Sequence, residues 1–268
     1  MPELPEVETV VRGLAPHLEG RRFEAARAPW LKVIEPWDVA AFQATLSGRT
    51  VQRLFRRGKY ICCVCDGGYF LVVHLRMTGR LYLSDREEGD DAWVRFSARL
   101  DGGRHLIFSD ARKFGRINLV TDLAFLEEKL GPEPLDLKPE DYVQIFKGSN
   151  RSLKVFLLDQ KRLAGVGNIY ADEALFEAGL LPTRKVDQLK RAERMRLGET
   201  VMAVLQRGID HEGATISWYR KPDGNKGESQ KHFFVYGRGG EPCLRCGTEI
   251  TRIVLGQRST HYCRRCQV

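Results

Sequence analysis

Four cysteines near the C-terminus carry the most specific chemistry in the chain. Cys243, Cys246, Cys263 and Cys266 form two C-x2-C pairs sixteen residues apart. Two such knuckles present four thiolates in the tetrahedral arrangement that zinc prefers. A hairpin this short buries too little apolar surface to hold a core without the ion. Two disulfides or four unrelated thiols are the alternatives; a reducing compartment disfavours the first and the paired spacing the second. Four protein ligands fill the coordination sphere, so the one Zn2+ expected here is structural. The other three cysteines, Cys62, Cys63 and Cys65, also contain a C-x2-C spacing. They lie in an expected strand, where positions three apart face opposite sides, and read as small buried apolar residues.

The opening stretch MPELPEVE offers a different reactivity. Once Met1 is removed, Pro2 carries a free secondary amine. An α-amino group has a pKa of about 7.7–8, so a neutral, nucleophilic fraction exists near neutral pH. A helix N-terminus close by lowers that value further. Amines attack carbonyl carbons to form Schiff bases, and Glu3 is placed to act as general acid or base on the same substrate. A frayed chain end is the plain alternative. Chemistry alone leaves both open.

Other residues pose similar choices. Lys59 in RRGKY is either a solvated strand-edge lysine or a cleft residue near Glu3. In SDARKFGR, residues 109–116, an exposed Phe114 beside Arg112 and Lys113 would be an apolar wedge flanked by phosphate-binding cations; a buried one is simply core. Met77 in HLRMTGR has the same two readings, with a gap-filling core role as the alternative. In KRLAGVGNIYADEALF, Gly165 and Gly167 allow a tight turn and Asn168 reads as the N-cap of a helix that runs to Gly179. Backbone N–H groups at such a start can hold a phosphate, or the segment is a plain helix hairpin.

Positioning these groups falls to elements that the patterning outlines. Val7, Val10, Val11, Leu14 and Leu18 recur at helical spacing after Pro5, and Gly20 closes the helix. From about residue 21 to 121 the runs TVQRLFRRGKYICCVC, YFLVVHLRMTGRLYL, AWVRFSARL, RHLIFSD and RINLV read as antiparallel strands. DGG and DGGR mark hairpins between them. LGPEPLDLKPEDY, with three prolines, reads as an inter-domain connection. Helical periodicity returns in SLKVFLLDQKRL, NIYADEALFEAGL and QLKRAERMRLGETVMAVLQRGI, followed by a polar loop, KPDGNKGESQKH.

The 268 residues are 43% hydrophobic and 29% charged, as in an ordinary globular protein. A net charge of +8 favours a polyanionic partner. Residues 207–268 alone hold eleven Lys and Arg against six Asp and Glu, which concentrates the excess near the cysteines. No signal peptide or bilayer-length apolar run is evident, so no membrane partner and a cytoplasmic location are expected.

PELPEVET, GKY, HLRMTG, DARKFG, GVGNIYADE and the CxxC…CRRC pair together resemble the bacterial formamidopyrimidine-DNA glycosylase (8-oxoguanine-DNA glycosylase) family. The motifs occur in the family's order and span essentially the whole chain. The resemblance implies an α+β fold: an N-terminal helix plus antiparallel β-sandwich (1–130), a linker (131–148), a helical DNA-binding domain with a helix–two-turn–helix (149–234) and a four-cysteine β-hairpin zinc finger (235–268). Within it, 213–234 would be a loop that caps the lesion.

It also implies a bifunctional glycosylase and AP lyase acting on double-stranded DNA that contains an oxidised purine or an abasic site. Pro2 would attack C1′, Glu3 would handle protons and Lys59 would assist. Met77, Arg112 and Phe114 would fill the void left by the extruded nucleotide. Lys154, Asn168, Tyr170 and Arg258 would bind DNA. No catalytic cofactor is implied, and a monomer is expected. Two departures stand out. DDAWV, with Trp93, occupies a place where the family often has His, and the loop ISWYRKPDGNKGESQ is this chain's own. The rival readings are an endonuclease VIII-type glycosylase for oxidised pyrimidines and a non-catalytic zinc-finger DNA-binding protein.

Overall fold

A computed structural model describes residues 1–268 as two compact units, Met1–Glu128 with His211–Gln230, and Lys129–Asp210 with Lys231–Val268. No helix is long and apolar enough to cross a membrane.

The first unit begins with helix α1, Leu4–Leu18. Glu3 is its N-cap residue, with extended backbone, and Pro5 sits in the first turn, where its missing N–H costs nothing. The Glu6 carboxylate reaches back to the Glu3 N–H at 2.7 Å, one arm of a reciprocal cap. Strand β1 (Phe23–Arg27) and helix α2 (Val39–Leu46) follow. Neither was legible in the patterning: five residues reading FEAAR are too few to establish a period. Seven more strands follow: β2 (Val51–Arg57), β3 (Tyr60–Cys65), β4 (Tyr69–His74), β5 (Gly79–Ser84), β6 (Val94–Leu100), β7 (His105–Asp110) and β8 (Arg116–Val120). They form two antiparallel four-stranded sheets, ordered β1-β6-β7-β5 and β2-β3-β4-β8. The DGG and DGGR turns join β3 to β4 and β6 to β7, with Gly67, Gly68, Gly102 and Gly103 all at positive φ.

Alternate residues of both sheets enter one core with the apolar stripe of α1 and with Phe42 and Leu46 of α2. On β3 this places Ile61, Cys63 and Cys65 in that core and turns Cys62 to the other face, where it is also buried. Tyr219, from the 211–230 segment, joins the same core. That segment therefore packs with the N-terminal residues.

The second unit holds α4 (Pro139–Ile145), α5 (Leu153–Leu157), α6 (Asn168–Glu177) and α7 (Arg191–Asp210), after a short α3 (Ala124–Glu127) that ends the first. The proline-rich stretch read as a linker is partly structured. Pro139 opens α4, and Tyr142 and Phe146 are fully buried. A proline at a helix start is a beginning, not a break. Strands β9 (Ile250–Leu255) and β10 (Arg258–Cys263) make the C-terminal hairpin. Phe176 of α6 packs with Val235, Ile250, Cys243 and Cys263 to form its base.

Candidate functional site

In the first unit Pro2 and Glu3 are both buried at the mouth of α1, while Met1 is 44% exposed. Glu6 fixes this end of the helix twice over. Its second carboxylate oxygen accepts the N–H of Ala214 at 2.7 Å, which ties the 211–230 segment to the residues beside Pro2. Sequence spacing held no hint of this pairing, 208 positions apart. Lys59, in the turn between β2 and β3, is only 6% exposed, so the solvated-edge reading does not hold. Its charge acts on His74, whose pKa is pushed down to about 3 by burial first, then by Arg76 and Lys59. The His74 ring is therefore neutral, and Nδ1 accepts the Arg76 N–H at 3.0 Å.

The wedge candidates separate clearly. Phe114 is 48% exposed, not core, and the Arg112 guanidinium lies 4.7 Å from its ring centroid. Met77 is half-buried. Its neighbour Thr78 and the backbone of Arg112 share the buried Asp110 carboxylate, so the HLRMTG and DARKFG turns meet. Trp93 donates its N–H to Asp91, and its ring meets Trp218 edge-on at 5.3 Å. The two departures from the family pattern thus touch each other. They line one pocket with Thr78, Arg80, Asp91 and Arg220.

The loop holding Trp218 is internally bonded. Thr215 accepts from Gly227 N, Gln230 bridges Thr215 and Gly227, and the buried Tyr219 hydroxyl donates to Glu212 O. Burial raises the Tyr219 pKa, so the hydroxyl remains a donor.

In the second unit the phosphate candidates gather around the start of α6. Asn168 is the first helical residue and Gly167 occupies the N-cap, a correction to the sequence reading. The Asn168 side chain instead donates to the Ser259 carbonyl at 3.0 Å, next to the exposed Arg258. Lys154 and Tyr170, read as DNA contacts, are buried. Lys154 donates to Asn168 O at 2.7 Å and pairs with Asp172, and the Tyr170 ring packs edge-on near Phe233. A buried ammonium needs such a partner, and Asp172 also accepts the His261 N–H of β10.

Glu173, adjacent on α6, accepts three backbone N–H groups, from Phe234, Val235 and Tyr236. Burial raises its pKa against the opposing effect of these donors. Both acids escaped the sequence reading. Their signal was a DE pair inside IYADEALF, a helix otherwise buried on every side.

The four finger thiols lie within 4.8 Å of one another, with Cys243–Cys266 and Cys246–Cys263 at 3.9 and 3.5 Å. Tetrahedral ligation at the usual Zn–S length requires sulfurs about 3.8 Å apart, so the donor set fits one structural zinc.

Three family profiles match in order. They are described as formamidopyrimidine-DNA glycosylase N-terminal domain (residues 1–117), formamidopyrimidine-DNA glycosylase H2TH domain (130–220) and zinc finger found in FPG and IleRS (240–268). Proteins named formamidopyrimidine-DNA glycosylase from Herpetosiphon aurantiacus and Heliobacterium modesticaldum are 46% and 45% identical, covering all of this chain and all of theirs. Solved structures of Lactococcus lactis Fpg are also similar. A point mutant of that protein with Fapy-dG containing DNA has a TM-score of 0.92 at 33% identity, and a complex with abasic site containing DNA has 0.91 at 34%. Each alignment covers 99% of both chains. Motifs, fold and full-length similarity agree, and the chain belongs to the formamidopyrimidine-DNA glycosylase family.

Proposed function

We propose that this chain excises oxidised purines, formamidopyrimidines and 8-oxoguanine, from duplex DNA and then cuts the strand at the resulting site. The observation that carries the reading is the placement of Pro2 and Glu3, both buried at the capped start of α1. A terminus held in this way is a defined reagent, not a frayed end.

With Met1 removed, the Pro2 amine attacks C1′ of the extruded nucleotide and the base leaves with its bonding pair. The proline nitrogen gives up its proton once bonded to C1′, Glu3 delivers a proton to the sugar ring oxygen, the C1′–O4′ bond breaks and an iminium joins Pro2 to C1′. Loss of a C2′ proton expels the 3′ phosphate, and a second elimination expels the 5′ phosphate. No step requires the zinc. Extrusion costs a few kcal/mol of unstacking. The exposed Arg112–Phe114 pair and Met77 enter the vacated stack, which is the wedge role their exposure suits.

Arg258 and the amide end of α6 hold phosphates, while Lys154 and Tyr170 support that end from beneath. The protein acts in the cytoplasm on chromosomal DNA, as a monomer.

Borohydride trapping on abasic DNA tests the reading. Wild type should give a covalent adduct, and mass spectrometry should find Pro2 at the mature terminus. Pro2→Gly and Glu3→Gln should each lower 8-oxoguanine excision by about two orders of magnitude or more, with DNA binding little changed. A wild type that forms no adduct, or that cuts thymine glycol faster than 8-oxoguanine opposite cytosine, refutes the proposal.

A further inference from the structure

We infer that Asp110 is a positioning residue that locks the Met77 turn to the Arg112–Phe114 turn, so that the void-filling side chains advance as one rigid piece. The inference rests on the proposed function and concerns a residue with no place in the chemistry itself.

Asp110 ends β7, is fully buried, and is anchored by its own N–H to the carbonyl of Trp93 at 2.9 Å. Four donors from two turns converge on it. One carboxylate oxygen accepts the Thr78 hydroxyl and the Arg112 N–H, the latter at 3.2 Å. The other oxygen accepts the Gly115 N–H at 2.7 Å. The Asp110 carbonyl accepts the Lys113 N–H at 3.3 Å, and also the Arg95 guanidinium at 2.9 Å. Thr78 closes the ring, because its hydroxyl oxygen lies 3.2 Å from the same Arg112 N–H.

The two turns need such a clamp. Lys113, between Arg112 and Phe114, has φ +61°, and Arg76, beside Met77, has φ +54°. Side-chain-bearing residues hold this left-handed conformation only where surrounding bonds over-determine it. Exposed wedge side chains on loose turns would also lose rotational freedom on entering the base stack, and a pre-set backbone removes that cost. A carboxylate is required, because acceptors are needed at both oxygens. In Asp110→Asn the amide oxygen satisfies one side and the NH2 group then confronts another donor.

The test compares two substrates. Single-turnover excision of 8-oxoguanine opposite cytosine needs extrusion and void filling. Borohydride trapping on single-stranded abasic DNA needs neither. Asp110→Asn and Thr78→Val should slow duplex excision by about tenfold or more, as expected for misplaced groups, while trapping stays at the wild-type level. Thr78→Ser, which keeps the hydroxyl, should restore duplex excision. Thr78→Val still leaves the Asp110 carboxylate the N–H groups of Arg112 and Gly115, so it remains informative should Asp110→Asn fail to fold. A parallel loss on both substrates would reduce Asp110 to a general stabiliser, and unchanged duplex excision would remove the clamp; either overturns the inference. Wild-type trapping separates this failure from that of the proposed function.

Discussion

His74 shows how one residue takes its chemistry from its surroundings. Its imidazole is 7% exposed, lies edge-on to Tyr60 at 4.5 Å, and faces the cations Arg76 and Lys59. Together these lower its pKa from 6.5 to about 3. An unfolded chain binds a proton at this position below about pH 6.5, while the native one resists until about pH 3. The neutral ring therefore contributes stability above the upper value, and the contribution is lost as pH falls through the window. His74→Gln should flatten the decline of Tm across that window relative to wild type. Thermal unfolding at a series of pH values checks it, and parallel curves for the two proteins would remove the claim. Phe114 and Lys59 make the same point: one is exposed and the other buried, against the common behaviour of their residue types.

At the level of elements, packing decides against local propensity. Helix α7 packs on α4 and α6, and Gly198 sits at the contact with Tyr142. A Cβ there would lie 2.4–2.7 Å from the Tyr142 side chain. Replacing a mid-helix glycine with alanine gains about 1 kcal/mol of helix propensity. Overpacking a close contact costs about 1–3 kcal/mol, so the clash should win. Gly198→Ala is expected to lower stability by up to about 2 kcal/mol in urea titration. A variant as stable as wild type would show that Tyr142 moves aside freely. The same competition explains α4. The prolines of residues 130–142 read as an inter-domain connection, yet Pro139 starts a helix because two aromatic side chains behind it find a core.

For the molecule as a whole, the zinc finger is the part least able to stand alone. Its apolar base is small, and Cys243 and Cys263 are themselves part of it. Metal ligation therefore supplies most of its folding energy. Chelation should release one zinc per chain, strip hydrogen-exchange protection from residues 240–268 and abolish DNA binding, while the β-sandwich strands keep their protection. Full protection of the finger after the metal is gone would contradict this account. The charge excess in residues 207–268 also belongs to this scale, since a polyanion is attracted by the summed field of many cations.

Features that depend on near neighbours are legible in the amino-acid sequence. The period of α1, the alternation of the strands, the hairpin turns and the cysteine spacing all follow from local geometry. The six motifs were legible for the same reason, since each is a short run with a local job. Tertiary packing sets which groups meet across long separations. Glu6 with Ala214, Thr78 with Asp110, Asn168 with Ser259 and Trp93 with Trp218 are such pairs. It also decided burial, placing Lys154 in an ion pair beneath α6 and leaving Phe114 exposed. A residue's spacing along the chain records its own element, whereas its partners and its exposure depend on how the elements close around it.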